Sequence, residues 1–176
     1  MDIQMRTEEP QDFPEIRKLL IEAFADEIHS DHSEQDLVER LRASQGYVPE
    51  LALVALIDAE LVGYILLTKI EIQGVDAVHE AQAMAPVAVR PKFQNLGIGG
   101  RLIEEAHRRA KTLGFQAIVL LGHAQYYPRF GYRQASAYGI RLPFDVPDEN
   151  AMVKELVPGA LHGIAGEVIY PKEFFG

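Results

Sequence analysis

Most of the side chains and glycines suited to binding or catalysis lie between Val87 and Tyr132. The densest stretch is Gln94-Asn95-Leu96-Gly97-Ile98-Gly99-Gly100-Arg101. It follows a short apolar run, Val87-Ala88-Val89, which Arg90-Pro91 ends. Proline cannot donate to a ladder and pushes the residue before it into extended geometry. An amphipathic segment comes next, with Leu102, Ile103 and Ala106 on one face and Glu104, Glu105, Arg108 and Arg109 elsewhere. Strand, glycine-rich loop and helix start together present free backbone N–H groups to an anion. The glycines let the backbone approach a phosphate with no Cβ in the way. A dinucleotide fingerprint would need glycine where Leu102 stands. A nucleoside-triphosphate loop would need Gly-Lys-Ser/Thr where Gly-Gly-Arg stands.

The remaining pattern, Gln94 to Gly99, resembles the Gln/Arg-x-x-Gly-x-Gly/Ala pyrophosphate motif of the GNAT superfamily of N-acetyltransferases, which cradles coenzyme A. The preceding Pro86 to Pro91 segment resembles that family's central strand. A second constellation, His123-Ala124-Gln125-Tyr126-Tyr127-Pro128-Arg129-Phe130-Gly131-Tyr132, resembles the family's Tyr-x-x-x-Gly-Phe/Tyr segment. The resemblance makes Tyr127 the candidate acid that protonates the leaving thiolate. Tyr126, Phe130 and Tyr132 read as an aromatic cluster that packs a short helix on the sheet. Members with a long fourth helix carry a cofactor-facing asparagine seven residues before the tyrosine. Leu120 stands there in this chain, and Pro128 cuts that helix short. The tail from Pro143, paired with the Tyr126-Tyr127-Pro128-Arg129-Phe130-Gly131 segment, resembles a bacterial branch of the family, the YhbS-type acetyltransferases.

The resemblance implies acetyl transfer from acetyl-CoA to a small-molecule or peptide amine, with no metal. The expected coenzyme contacts are Val87, Ala88, Val89, Gln94, Asn95, Leu96, Gly97, Ile98, Gly99, Gly100 and Arg101. A backbone N–H of the Val87–Val89 strand is the natural oxyanion donor. Glu80, on the same strand upstream, is the candidate base, with Glu71 a weaker one. The chain has no cysteine, so an acetyl-cysteine intermediate is excluded and direct attack in a ternary complex is expected. A non-catalytic acyl-CoA sensor or interaction module would use the same loop, and a longer acyl group is also open.

Elements must hold these residues in place. Ile3 to Thr7 alternates as a strand would. Phe13 to Ile28 carries Ile16, Leu19, Leu20, Ala23 and Phe24 at helical spacing, and Ser33 could cap a second helix through Arg42. His29 and His32 flank Asp31 in a polar break that reads as a solvated loop rather than a metal site. Leu51–Ile57, Leu61–Ile72 and Ala77–Val89 read as three antiparallel strands joined by turns. Gly114 is a plausible end for the helix after the loop. Gln116 to Leu121 is continuously apolar at its core, as for a strand buried on both faces. The helix crossing makes it parallel to Ala77–Val89, and the resemblance implies that the two splay apart. A sixth strand is expected from Gln134 to Pro143, then strands over Ala151–Val157 and Gly166–Pro171.

The expected architecture is therefore a mixed α/β fold: a mostly antiparallel central sheet, one parallel splayed strand pair, and helices on both faces. Its 176 residues suit a single domain over 1–176, with 143–176 a strand-rich extension of it. The net charge of −9 argues against nucleic acid as the partner, though an acidic surface attracts amines. No apolar run approaches membrane-spanning length and no leader is visible, so the cytoplasm is the expected location. A homodimer is a further expectation.

Overall fold

The computed structural model describes residues 1–176. Strands and helices alternate as β1 (Gln4–Thr7), α1 (Phe13–Phe24), α2 (Glu34–Arg42), β2 (Tyr47–Ile57), β3 (Glu60–Gln73), β4 (Val78–Val89), α3 (Ile98–Thr112), β5 (Ala117–Leu121), β6 (Arg133–Gln134), β7 (Ile140–Arg141), β8 (Ala151–Glu155) and β9 (Gly166–Ile169). All nine strands join one sheet, in the order β1-β2-β3-β4-β5-β8-β6, with β9 on β3 and β7. β4 and β5 run parallel, as do the short β7 and β9, and every other pairing is antiparallel.

Period and turn chemistry account for most of this order. The turn between β2 and β3 puts Asp58 and Ala59 at positive φ, the primed geometry whose twist suits a tight hairpin. The helix α3 buries Ile98, Leu102, Ile103, Ala106 and Ala110 against Leu53, Ile65, Leu67, Met84, Ile118 and Leu120 of the sheet. On the opposite face, α1 and α2 bury Ile16, Leu19, Leu20, Val38 and Leu41 against Val54, Tyr64, Leu66 and Ala88. A third cluster, drawn from β3, β4, β5, β7, β8 and β9, is closed over by Tyr138, Leu142, Tyr170 and Phe174 of the C-terminal region.

Some boundaries differ from the sequence reading. The first helix stops at Phe24, because Ala25 bonds back to Glu22 in a tighter turn and the chain leaves the apolar face. The second strand starts earlier, at Tyr47, with an irregularity before Ala52. The expected sixth strand is two short pieces separated by a turn of 3-10 helix over Ala135–Tyr138, which closes at Gly139 in left-handed geometry. The two later strands end at Glu155 and Ile169, short of the expected Val157 and Pro171.

Candidate functional site

The site grows from a disagreement between two parallel strands. β4 and β5 pair only at Gln82–Ile118 and Ala83–Val119. β5 keeps β8 on its other side throughout, while β4 stays on β3 up to Val89. Two residues of β4, Ala85 and Pro86, stand opposite Leu66 alone. Proline brings no ladder donor, and such a bulge bends the strand. Beyond Ala83 the two strands therefore leave an unpaired gap.

Register decides which backbone groups line that gap. The Arg90 N–H donates to Val62 O at 2.9 Å. Antiparallel partners alternate between bonded and unbonded pairs. So Ala88 faces β3, and the N–H groups of Val87 and Val89 point to the gap. Ala88 is also buried beneath α1. Of the three expected strand contacts, Val87 and Val89 are presented and Ala88 is not.

Arg90 holds this end of β4 down. Its guanidinium donates to Leu61 O at 2.8 Å, Glu22 at 2.8 Å and Glu15 at 2.9 Å. The sequence reading treated Arg90 only as a strand end. Its ion pairs reach back to α1, and no local pattern announces them.

The loop follows directly. Gln94 Nε2 donates to Val89 O at 3.1 Å, and Asn95 and Gly97 both take left-handed φ, 64° and 80°. Asparagine tolerates that region and glycine enters it freely. Gly97 is the N-cap of α3, with no side-chain cap. Arg101 N–H donates to Gly97 O at 3.1 Å, which leaves the N–H groups of Ile98, Gly99 and Gly100 free at the positive end of the helix. The Ile98 side chain is buried in the core, so only its N–H is offered. Leu96 is half exposed, and Gln94 and Arg101 lie at the surface.

A short 3-10 turn over Tyr127–Phe130 closes the other side. Tyr126 Oη would lie 3.4 Å from a Cβ at Gly99, and Phe130 would lie 3.3 Å from one at Gly100. Tyr127 stacks edge-on against Tyr126 and Tyr132 at 5.0 and 5.8 Å. Burial pushes its phenol up to about 12, so it keeps its proton at neutral pH. A Cβ at Gly122 would overlap the Tyr127 ring; the bare residue at the end of β5 is what lets tyrosine sit there. Behind it, Tyr132 Oη lies 2.8 Å from His107 Nε2. The roles expected for Tyr126, Phe130 and Tyr132 as packing residues fit these contacts.

Glu80 is not brought to this gap. It is an exposed residue near the start of β4, directly opposite Glu71. There it lines a recess of about 220 Å³ with Ile72, His79, Phe115, Gln116 and Leu161. That recess adjoins the C-terminal end of α3, whereas the loop forms its N-terminal end. From Glu80 to Val87 the strand runs roughly 20 Å, beyond the reach of a base or of one water. The strand assignment holds, and the carboxylate stands at the end of the strand away from the loop.

Sequence reasoning gave no role to Gly122, His123 or Glu27. Glu27 Oε2, in the α1–α2 connection, lies 4.0 Å from His123 Nε2. A Gly-His pair directly after a buried strand was the one local signal available.

Comparison with known proteins gives the family and the fold. The acetyltransferase (GNAT) family model matches residues 13–132. The chain is 33% identical over 171 residues to an uncharacterized N-acetyltransferase, YhbS, of Escherichia coli (strain K12), covering 97% of each. It is 36% identical over 118 residues to a second one from that strain, YjhQ, covering 66% of this chain and 65% of the relative. The crystal structure of E. coli YhbS in complex with CoA superposes with a TM-score of 0.88 at 30% identity, covering 99% of this chain and 92% of that one. A GNAT-family acetyltransferase from Brucella melitensis in complex with acetyl-CoA gives 0.81 at 30% identity, covering 98% of each.

Proposed function

This chain belongs to the GNAT family of acetyltransferases, and we propose that it transfers an acetyl group from acetyl-CoA to a primary amine, small or peptide-borne, by direct attack with both substrates bound. The observation that carries the reading is the uncapped start of α3, where three free N–H groups open beside the parted ends of β4 and β5. A diphosphate suits that place. The donors are unspent, no Cβ stands on Gly99 or Gly100, and no carboxylate is bonded there. The E. coli and B. melitensis neighbours, solved with CoA and acetyl-CoA, support the same reading. Bound acetyl-CoA would supply an activated thioester carbonyl.

The chain's own residues would then act in order. Asn95 to Gly100 hold the diphosphate through backbone N–H groups, with Arg101 adding positive charge nearby. The gap-facing N–H groups of Val87 and Val89 grip the extended arm, and one of them stabilises the oxyanion. Tyr127, neutral and half-buried, holds the proton that the departing thiolate takes. Fixing donor and amine together supplies much of the acceleration. With no cysteine in the chain, a single displacement is the simplest course. We read residues 143–176 as part of the same domain, because β8 and β9 complete its sheet.

The test follows free thiol release from acetyl-CoA with a panel of amines and lysine peptides, beside calorimetry of CoA binding. Thiol release that depends on the amine is expected. Binding with no release from any acceptor would make the chain an acyl-CoA sensor, and no binding would remove the reading altogether.

A further inference from the structure

We propose that His123, steadied by Glu27, is the group that takes the proton from the attacking amine. The proposal rests on the N-acetyltransferase reading and puts His123 in the place of Glu80 as the base.

The backbone around His123 is fixed while its side chain is free. Gly122 N–H donates to Asn150 O, and Asn150 Nδ2 donates back to Gly122 O, both at 2.9 Å. The His123 carbonyl accepts from Tyr126 N–H at 3.1 Å and Tyr127 N–H at 3.4 Å. The imidazole itself is 69% exposed, and its polar contact is with Glu27 at 4.0 Å. It belongs to none of the three core clusters. A pinned backbone carrying an exposed, unpacked imidazole has no evident structural duty.

Direction is the stronger argument. The Tyr127 ring packs into the cluster beneath α3. His123 reaches toward the connection between α1 and α2, the helices that cover the opposite face of the sheet. The two side chains leave one short turn at the end of β5 toward opposite faces of the sheet. Amine addition to the thioester carbonyl and loss of sulfur from the tetrahedral intermediate need a base and an acid, and this division lets the two act from separate sides. Sulfur leaves toward the side holding the coenzyme, and nitrogen arrives from the other.

The step balances. The amine nitrogen forms a bond to the thioester carbon, and the C–S bond breaks. The proton lost by nitrogen passes to His123 Nε2, directly or through one water, and Glu27 stabilises the imidazolium. The thiolate takes the Tyr127 proton. His123 then releases its proton to solvent and Tyr127 regains one, leaving amide and free thiol.

The charged and titratable groups around His123 are few. Glu27 stands on the α1–α2 connection. Asp148 and Glu149 stand on the turn that delivers Asn150, and Asp148 is engaged by Ser136 at 2.7 Å. On its own segment are Tyr126, Tyr127 and Arg129, the last turned onto the Tyr126 ring.

The experiment compares wild type, His123→Asn and Glu27→Gln across pH 5.5–9.5. Acetyl-CoA is the donor, and spermidine, phenylethylamine and a lysine-containing peptide are the acceptors. The readouts are thiol release and CoA affinity. The amine's own ionisation is common to all three enzymes and cancels in their rate ratios. For the best acceptor, His123→Asn should lower kcat about a hundredfold at neutral pH with CoA affinity within about twofold. The loss should shrink toward acid, where a protonated imidazole is useless in wild type too. Glu27→Gln should lower kcat less than His123→Asn does, with CoA affinity unchanged, because His123 loses its polar partner. A ratio near one, or a loss independent of pH, would overturn His123 as the base while leaving the transferase reading intact. Wild type that releases no thiol with any acceptor would overturn both.

Discussion

The two ends of β4 carry opposite designs. At its start the strand lies on β3 and then, at Gln82 and Ala83, also on β5, and two glutamates, Glu71 and Glu80, face each other across the ladder. At its end the strand has β3 on one side and nothing on the other, and its polar surface is bare backbone. The acidic end has the more conspicuous residues and a recess to go with them. The bare end has the unspent donors. Paired strands use their N–H groups on each other, so a donor set for a ligand can form only where pairing stops. On the proposed reading, failure of pairing marks the site and density of ionisable side chains does not.

The sharpest way to break this comparison is to fill the bare end. Gly99→Leu should abolish measurable CoA binding by calorimetry. The fold should survive, since a Cβ at Gly99 meets Tyr126 Oη at an ordinary 3.4 Å. Unchanged affinity would mean that the diphosphate is held elsewhere.

Next in size is an acid-side loss of stability from the core wall behind Tyr127. Burial first, and Lys154 second, push the His107 imidazole down to about 4. The unfolded chain takes that proton below about 6.5, whereas the folded chain resists until about 4. Unfolding therefore gains a proton over that window. The stability is complete above pH 6.5 and falls as pH drops toward 4, by about 3 kcal/mol. Urea titrations of wild type and His107→Gln at pH 7 and 4.5 should show the variant losing less between the two.

Tyr127→Phe sharpens the chemistry of the bare end. It should lower kcat on the order of a hundredfold, with acetyl-CoA affinity nearly unchanged, if chemistry limits the rate. Because the phenol is raised to about 12, the wild-type profile should show no tyrosine limb below pH 11. Wild-type turnover in the variant would assign the proton to water.

The smallest effect belongs to the acidic end. Glu80→Gln should leave kcat/KM within about twofold at every pH and raise stability by at most about 0.5 kcal/mol, by relieving the facing pair of carboxylates. A pH-dependent fall in rate would restore Glu80 as the base and undo the contrast between the ends.

What was legible in the sequence was contiguous. The Gln94–Gly100 loop, the amphipathic α3, the β2–β3–β4 hairpins and the parallel β5 each depend on neighbours a few residues apart, where period and turn chemistry speak directly. The family resemblance also rests on two unbroken stretches. Tertiary structure decided the rest. Which N–H groups of Val87–Val89 are free depends on the register with β3 and the parting from β5. Alternation told that Glu80 sits on β4, but the end of a strand at which a ligand lies is set by the helix that follows and the strands beside it. Arg90 meets Glu15 and Glu22, and His123 meets Glu27, across the whole N-terminal half of the chain. Such pairs leave no periodic trace, because long-range contact is fixed by how packed layers settle on one another and not by spacing along the chain.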